Sequence, residues 1–345
     1  MPCVGAYQVL HINIAFLNFK IMRVHNMPKV SVVIPAYNAM VYLPEALESV
    51  LRQTFTDFEV LIINDGSSDR IVEWASQIAD PRVKLISQRN QGLSGARNTG
   101  IAHTQGEYVA LLDADDIWEP TKLEKQVRRL EDNLEVGLVD SWAVLADEQG
   151  KPTGKVFGSR IEGDVWKRLV EFQTVCCCGS TSLIRRSCFE TVGVFDRDLR
   201  CLEDLDMFIR IAAHYSFAVV KEPLIRYRQH PNNMSKNCQG MLDAFRTIIE
   251  KAFQSASLEL LYLRCRGYGR INLYLAWKSI NSRDYKAASH FRQQALAHYS
   301  QLRYSWDCIR LSIAIAVMHW FGSQGYDRAR TIVRSLRTHM SMFTQ

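Results

Sequence analysis

Between Gly106 and Pro120 the chain reads GEYVALLDADDIWEP, a stretch that narrows the fold more than any other. The apolar run from Tyr108 to Leu112 has the length and composition of a buried strand. It stops at three carboxylates, Asp113, Asp115 and Asp116, before Pro120 opens a new helical pattern. An open α/β sheet binds ligands at the carboxyl ends of its strands, so acids delivered there lie where a substrate would. Carboxylates crowded at one strand end repel each other, and a hard divalent cation with oxygen ligands relieves that repulsion. The competing reading makes Asp115 and Asp116 caps of the following helix. An isolated Asp-x-Asp does not choose between the two.

The flanking pattern supplies the frame. Val30 to Ile34 is a β-branched run closed by Pro35, the mark of a buried parallel strand. Leu43, Leu47, Val50 and Leu51 follow at helical spacing, with Pro44 in the first turn. Phe58 to Ile63 reads as a second strand ending in the turn-forming cluster Asn64 to Asp69, and Ile71, Trp74, Ala75 and Ile78 as the inner face of a helix. Val83 to Ile86 is a short strand, and NQGLSGARNTG (Asn90 to Gly100) leads from it into a helix without a G-x-G-x-x-G dinucleotide fingerprint. After the acids, Leu123, Val127, Leu130 and Leu134 form an apolar stripe, and Gly137 to Leu145 is a further strand. Alternation of this kind predicts an α/β fold with a mainly parallel, doubly wound sheet flanked by helices.

Beyond residue 150 the pattern weakens into loops. Glu203 and Asp204 then introduce a helix with Leu205, Phe208, Ile209 and Ala212 inward, and Pro223 to His230 follows as PLIRYRQH. From Leu242 the pattern is wholly helical. Tyr268 to Leu302 is spaced as a helical hairpin turning near Asn281 to Asp284, similar to one tetratricopeptide unit. The domain reading is 27–240 for the α/β part and 241–345 for an all-helical extension. Residues 1–26 carry neither a cationic start nor a small-residue cleavage site, and are read as disordered or as a mis-assigned start ahead of Met27.

Composition sets limits. The chain has 345 residues, 47% of them hydrophobic, enough to build one large or two modest cores. Nine cysteines without a C-x-x-C pair indicate a reduced, cytoplasmic compartment. Three adjacent cysteines cannot all face one tetrahedral site, so Cys176 to Cys178 are read as a buried strand of small residues. Residues 241–345 hold 15 Lys+Arg and 6 Asp+Glu, a net of +9 against +6 for the whole chain, which leaves −3 for residues 1–240. Such a basic face suits either anionic lipid headgroups or ordinary solvation. The apolar stretch Leu311 to Phe321 is too short to span a bilayer, so membrane contact is expected to be peripheral, at the inner face of the plasma membrane. No nucleic-acid partner is expected.

Five ordered motifs resemble the family 2 glycosyltransferases, whose nucleotide-binding domain has the GT-A fold: VSVVIPAYN, IINDGSSD, NQGLSGARNTG, LLDADD and LED before a helix, together spanning roughly Lys29 to Ser235. The resemblance implies that Pro35, Ala36 and Tyr37 line a nucleobase pocket and that Asp65 accepts the uracil N3 proton, with Asn64 standing where the family usually has another acid. It implies that Arg97, Asp113 and Ala114 lie near the nucleotide, and that Asp115 is the principal ligand of Mn2+ or Mg2+, with His230 as a further ligand. Asp204 is similar to the general base of the inverting members. The expected activity is metal-dependent, inverting transfer from a nucleotide sugar, a UDP-sugar foremost, to a saccharide or lipid-linked acceptor. Two alternatives are a sugar nucleotidyltransferase, disfavoured because Pro35-Ala36-Tyr37-Asn38 carries no basic phosphate loop, and a nucleotide-binding scaffold without transfer.

Overall fold

The computed structural model describes residues 27–230, 238–254 and 256–342; the expectation for residues 1–26 lies outside them. These residues form two compact units. The first takes the described residues up to Gly163, Cys176–Asp198 and His214–His230, and the second takes Asp164–Val175, Leu199–Ala213 and the described residues from 238 onward.

The first unit is built on one sheet. In chain order it contains β1 (Val30–Ala36), α1 (Leu43–Leu51), β2 (Phe58–Asp65), α2 (Ile71–Ala75), β3 (Val83–Gln88), α3 (Gly92–His103), β4 (Tyr108–Leu111), β5 (Ile117–Trp118), α4 (Lys122–Glu131), β6 (Val136–Ala146) and β7 (Pro152–Phe157). After α5 (Trp166–Val170), which belongs to the second unit, come β8 (Leu183–Arg185) and α6 (Arg186–Val192); α7 (Glu203–Ala212) is again in the second unit, and β9 (Ser216–Arg228) closes the sheet. The strand order is β3-β2-β1-β4-β8-β6-β9-β5, with β7 on β6. The first four of these pair in parallel, β8 runs antiparallel to both β4 and β6, and β9 returns parallel to β6. The predicted α/β architecture is present, with β1 to β4 as its continuous parallel part.

Every residue of β1, β2 and β4 is buried, which explains why these strands read as continuous apolar runs rather than alternations. The register aligns their carboxyl ends: Ala36 pairs with Asn64, Val33 with Leu111, and Leu112 N donates to Val33 O at 3.0 Å. The chain leaves β1 for β2 and β3 on one side and returns to β4 on the other, so β1 and β4 flank a topological switch point. β1 runs one residue past Pro35, where the sequence had closed it. The missing N–H costs nothing, because Val33 O faces β4 and, two residues on, Pro35 faces the same side after β4 pairing has ended. Gly100 lets α3 lie on this sheet: a Cβ there would sit 2.2 Å from Val33 Cγ1. That glycine serves packing.

Three local expectations are corrected. Asp115 and Asp116 do not cap α4, which starts at Lys122 after Thr121, because β5 intervenes and pairs with β9. Leu134 lies beyond α4 and is exposed, since the helix ends at Glu131. Cys176 to Cys178 are half-buried irregular chain leading into the 3-10 turn Gly179–Thr181, whose backbone is tied by Thr181 Oγ1 donating to Cys178 O at 2.7 Å; a turn of this kind carries no two-residue alternation to read.

Two ionisable groups are sealed inside this unit. Burial pulls the Lys122 ammonium down to about 7 from 10.5, opposed by the Asp140 charge. Burial pushes the Asp140 carboxyl up to about 7 from 3.8, opposed by hydrogen bonds and by Lys122. The signs fix a pH profile. Between 3.8 and about 7 the folded chain keeps a proton on Asp140 that the unfolded chain has lost, so stability falls as pH rises. Between about 7 and 10.5 the unfolded chain holds the extra proton, on Lys122, so stability rises with pH. The contribution of the pair is therefore least favourable near neutrality, by up to about 4–5 kcal/mol on each side. Urea midpoints measured across this range should show that dip, and Lys122→Met/Asp140→Asn should remove it.

The second unit is helical. Its larger elements are α8 (Cys238–Phe253), α9 (Leu261–Asn281), α10 (Tyr285–His298) and α11 (Trp306–Met342), the last broken at Gly322. The predicted hairpin is α9 and α10. Asp284 caps α10 by accepting from Ala287 N at 2.9 Å, and Ala288 and Ala295 are buried where the helices meet. Phe172, Phe245 and Tyr268 stack edge to face, and buried Glu171 pairs with Arg266 at 3.1 Å. On α7 the buried side chains include Met207, Phe208, Ile209 and Ile211, while Leu205, expected inward, is half-buried. No helix among the described residues is long and apolar enough to cross a membrane.

Candidate functional site

The aligned ends of β1, β2 and β4 set the floor of the site. Pro35 and Ala36 are buried at the end of β1, and the next residue, Tyr37, is 57% exposed. The two loops beyond β1 and β2 are laced together: Asn38 N donates to Ser67 Oγ at 3.0 Å, Ser68 N to Asn38 Oδ1 at 2.8 Å, and Met40 N to Asp69 Oδ2 at 3.0 Å. Asp65 is buried. Its Oδ1 accepts from Gln88 Nε2 at 2.6 Å and Gln91 N at 2.8 Å, and its Oδ2 from Gly92 N at 2.9 Å. It thus ties β2 to the start of α3. A carboxylate has about four acceptor positions, so these three bonds leave room for one more donor.

The acids after β4 are each held by a different cation or donor. Arg97, on α3 and 1% exposed, places Nη2 2.7 Å from Asp113 Oδ1, and its guanidinium lies over the Phe195 ring at 5.3 Å. The fit is close: a Cβ on Gly179 would meet Arg97 Nη2 at 2.9 Å. Asp113 N donates to Ser180 Oγ at 3.1 Å, and Ala114 is buried. Asp115 Oδ2 is 2.8 Å from His230 Nε2, and the His230 ring stacks on Tyr42 with centroids 5.2 Å apart. Burial, then the Asp113 charge, raises the Asp115 carboxyl above its ordinary range, against the pull of His230. Asp116 is buried and raised well above its ordinary value, by burial first and by its two acidic neighbours next.

Arg228 organises the inner side, and sequence reasoning passed over it. It is buried at the end of β9, where its N–H donates to Asp116 Oδ1 at 3.1 Å and its Nε to Asp115 O at 2.8 Å. Its Nη1 and Nη2 donate to Glu148 O at 2.8 Å and Glu45 Oε2 at 2.6 Å. The signal was the period-two spacing of Arg226 and Arg228 in RYRQH, which places both on one face of a strand; Arg226 pairs with Glu119 at 2.7 Å. Ser180 was also missed. Trp118 is buried and donates Nε1 to Ser180 O at 3.1 Å, a core role.

This donor set suits a hard divalent cation. Asp113 and Asp115 offer carboxylate oxygens and His230 an imidazole nitrogen, while no cluster of three or more ligating side chains is preassembled among the described residues. Mg2+ and ions like it use one or two carboxylates and complete their shell with substrate phosphates and water, so a set whose Asp115 carboxyl is raised by burial and then by the Asp113 charge fits such a group.

Asp204 belongs to the second unit. It lies in the first turn of α7, after Leu202 in the left-handed region (φ 58°), and its Oδ1 accepts from Leu205 N at 2.8 Å.

Comparison with known proteins gives this geometry its lineage. The family profile described as Glycosyl transferase family 2 matches residues 31–193. An uncharacterized glycosyltransferase of Haemophilus influenzae is 32% identical over 222 residues, covering 61% of this chain and 68% of the relative. The chain spans about a third of the length of glycosyltransferase relatives from Rickettsia bellii, Rickettsia felis and Rickettsia conorii. Among solved structures, the mannosyltransferase PcManGT of Pyrobaculum calidifontis, in complex with GDP-Man and Mn2+, is similar at TM-score 0.55 and 20% identity, covering 85% of this chain and 88% of that one. Residues 1-349 of S. aureus TarS, in complex with UDP-GlcNAc, are similar at TM-score 0.52 and 15% identity, covering 81% and 91%. With its mixed sheet, its strand-end acids and these relatives, the chain belongs to the family 2 glycosyltransferases and has the GT-A fold.

Proposed function

We propose that the chain transfers a sugar with inversion from a nucleotide sugar, a UDP-sugar foremost, to a hydroxyl of a saccharide or lipid-linked acceptor. The observation that carries this reading is the row of strand-end groups at the switch point, Arg97 on Asp113 and His230 on Asp115. In it, residues 27–140 bind the nucleotide and 141–240 shape the acceptor side. Pro35, Ala36 and Tyr37 line the base, and the remaining acceptor position of Asp65 takes the N3 proton of uracil. Arg97 fixes Asp113 beside the nucleotide at Ala114. Asp115, with His230, would hold Mn2+ or Mg2+. Such an ion, when bound, neutralises charge that grows on the departing nucleoside diphosphate.

Asp204 takes the proton of the acceptor hydroxyl as that oxygen attacks the anomeric carbon and the bond to the diphosphate breaks, so an α-linked donor gives a β-linked product. The enzyme works in the cytoplasm, and its basic C-terminal helices contact the membrane peripherally. Relatives in fold hold UDP-GlcNAc in one case and GDP-Man in the other, so the base is the property to test. Calorimetry of UDP against GDP, ADP and dTDP, with and without Mn2+, should give Mn2+-dependent binding strongest for UDP. Stronger GDP binding would overturn the uridine assignment, and binding of none of the four would overturn the nucleotide-sugar reading.

A further inference from the structure

The first stretch of α11 exposes a large apolar face. Trp306 is 69% exposed, Ile313 58%, Trp320 76% and Phe321 73%. Trp306, Ile313, Val317 and Trp320 follow helical spacing and fall on one side over about 21 Å. The opposite side, with Cys308, Leu311 and Met318, is buried within the second unit. Exposed aromatic patches of this size mark interaction surfaces, and tryptophan favours the boundary between headgroups and hydrocarbon.

Beside this face a cleft of about 680 Å³ lies between α10 and α11, and Trp320 is part of its wall. Lys286, Arg292, His290 and His319 line it together with the hydroxyls of Ser289 and Ser312, and none of the residues described as lining it is acidic. Arg292 donates Nε to Ser312 Oγ at 2.7 Å, which fixes its planar fork at the cleft. A fork held in this way, flanked by an ammonium and the Ser289 hydroxyl, matches the oxygens of a phosphate group. Residues 241–345 carry a net charge of +9, so the surroundings attract the same sign of ligand.

We propose that the α10–α11 cleft binds the phosphate of an anionic lipid headgroup while the Trp306–Phe321 face lies in the membrane interface. This rests on the peripheral membrane contact proposed above and names the surface and ligand that produce it. A helix lying in the interface, rather than spanning it, agrees with the length of its apolar stretch.

The test uses the full chain and cosedimentation with vesicles of phosphatidylcholine, alone or mixed with phosphatidylglycerol. Phosphatidylglycerol should strengthen binding by about tenfold or more, at about fivefold per engaged cation. Lys286→Gln/Arg292→Gln should remove that gain and leave the weaker binding to phosphatidylcholine. Arg328→Gln/Arg330→Gln, which removes equal charge outside the cleft, should keep most of it. Trp306→Ser/Trp320→Ser should weaken binding to both vesicles by about tenfold, whereas Trp306→Tyr/Trp320→Tyr should retain it. Lys286, Trp306, Trp320, Arg328 and Arg330 are exposed and Arg292 half-buried, so Tm and UDP affinity, measured on the same samples, report folding and the donor site separately.

Wild-type chain that ignores both vesicles overturns the proposal and the membrane contact beneath it. Vesicle binding unchanged by the cleft and tryptophan pairs overturns the surface assignment alone. Binding of inorganic phosphate without vesicle affinity overturns the lipid assignment. A dimer abolished by the tryptophan pair, again without vesicle affinity, assigns the face to a second copy and overturns the proposal.

Discussion

Asp115→Ala should abolish the Mn2+ dependence of UDP binding and slow sugar transfer by at least about a thousandfold, the scale on which charge stabilisation at a leaving group operates. The expected Tm is the counterpart of that loss. Burial and the Asp113 charge already work against the ionised form of Asp115, so removing the carboxylate relieves repulsion on Asp113 and Asp116. The variant should melt at the same temperature or higher, even though His230 loses a partner at 2.8 Å. A side chain kept for folding would behave oppositely. Calorimetric melting beside UDP titration separates the two: a lower Tm with Mn2+-dependent binding intact would make Asp115 a structural residue.

Asp204→Asn is the second large effect, a fall in turnover of about 10²–10⁴-fold with UDP affinity unchanged. The choice of asparagine matters. Asp204 also accepts from Leu205 N in the first turn of α7, and an amide oxygen serves that bond nearly as well as a carboxylate. Asparagine therefore keeps that bond and deletes the base. Asp204→Ala deletes both, and should add about 1 kcal/mol of destabilisation, the net worth of one hydrogen bond, to the same loss of turnover. Asp204→Asn with most of the wild-type rate would falsify the base assignment and leave the carboxylate a local acceptor in the first turn of α7.

The strands most plainly read from sequence, β1, β2 and β4, are those buried on both faces. VSVVIPA and YVAL announce themselves because no position in them faces water. The acids at Asp113, Asp115 and Asp116 were legible for the opposite reason, since charge at the end of an apolar run has few structural explanations. In the second half of the sheet only β6 was legible, and the rest was opaque on physical grounds. β8 is three residues long, too short for any period to establish itself, and β9 carries Lys221, Glu222 and Pro223 in mid-strand where its register with β6 shifts. Antiparallel pairing of β4 with β8 joins residues more than seventy positions apart, and no local pattern records it. The helical hairpin was legible because its alanines recur at helical spacing. Arg228 was not, because a buried arginine and a surface arginine look alike until the partners Glu45, Asp115, Asp116 and Glu148 are seen to converge on it.

That convergence has an evolutionary side. Arg228 draws together a helix from the start of the chain, the acid loop from its middle and the strand that completes the sheet, so the loop's shape is settled during folding, before any donor arrives. Substitutions there are filtered by proteostasis ahead of catalysis. In a saturation library sorted by cellular abundance, Arg228 should be depleted alongside Val33 and Leu111, while Asp115 variants accumulate to normal levels and fail only when sorted by activity. Drift in donor preference can then proceed at the rim, at Tyr37 and the loop around Ser67, with the acid loop left in place.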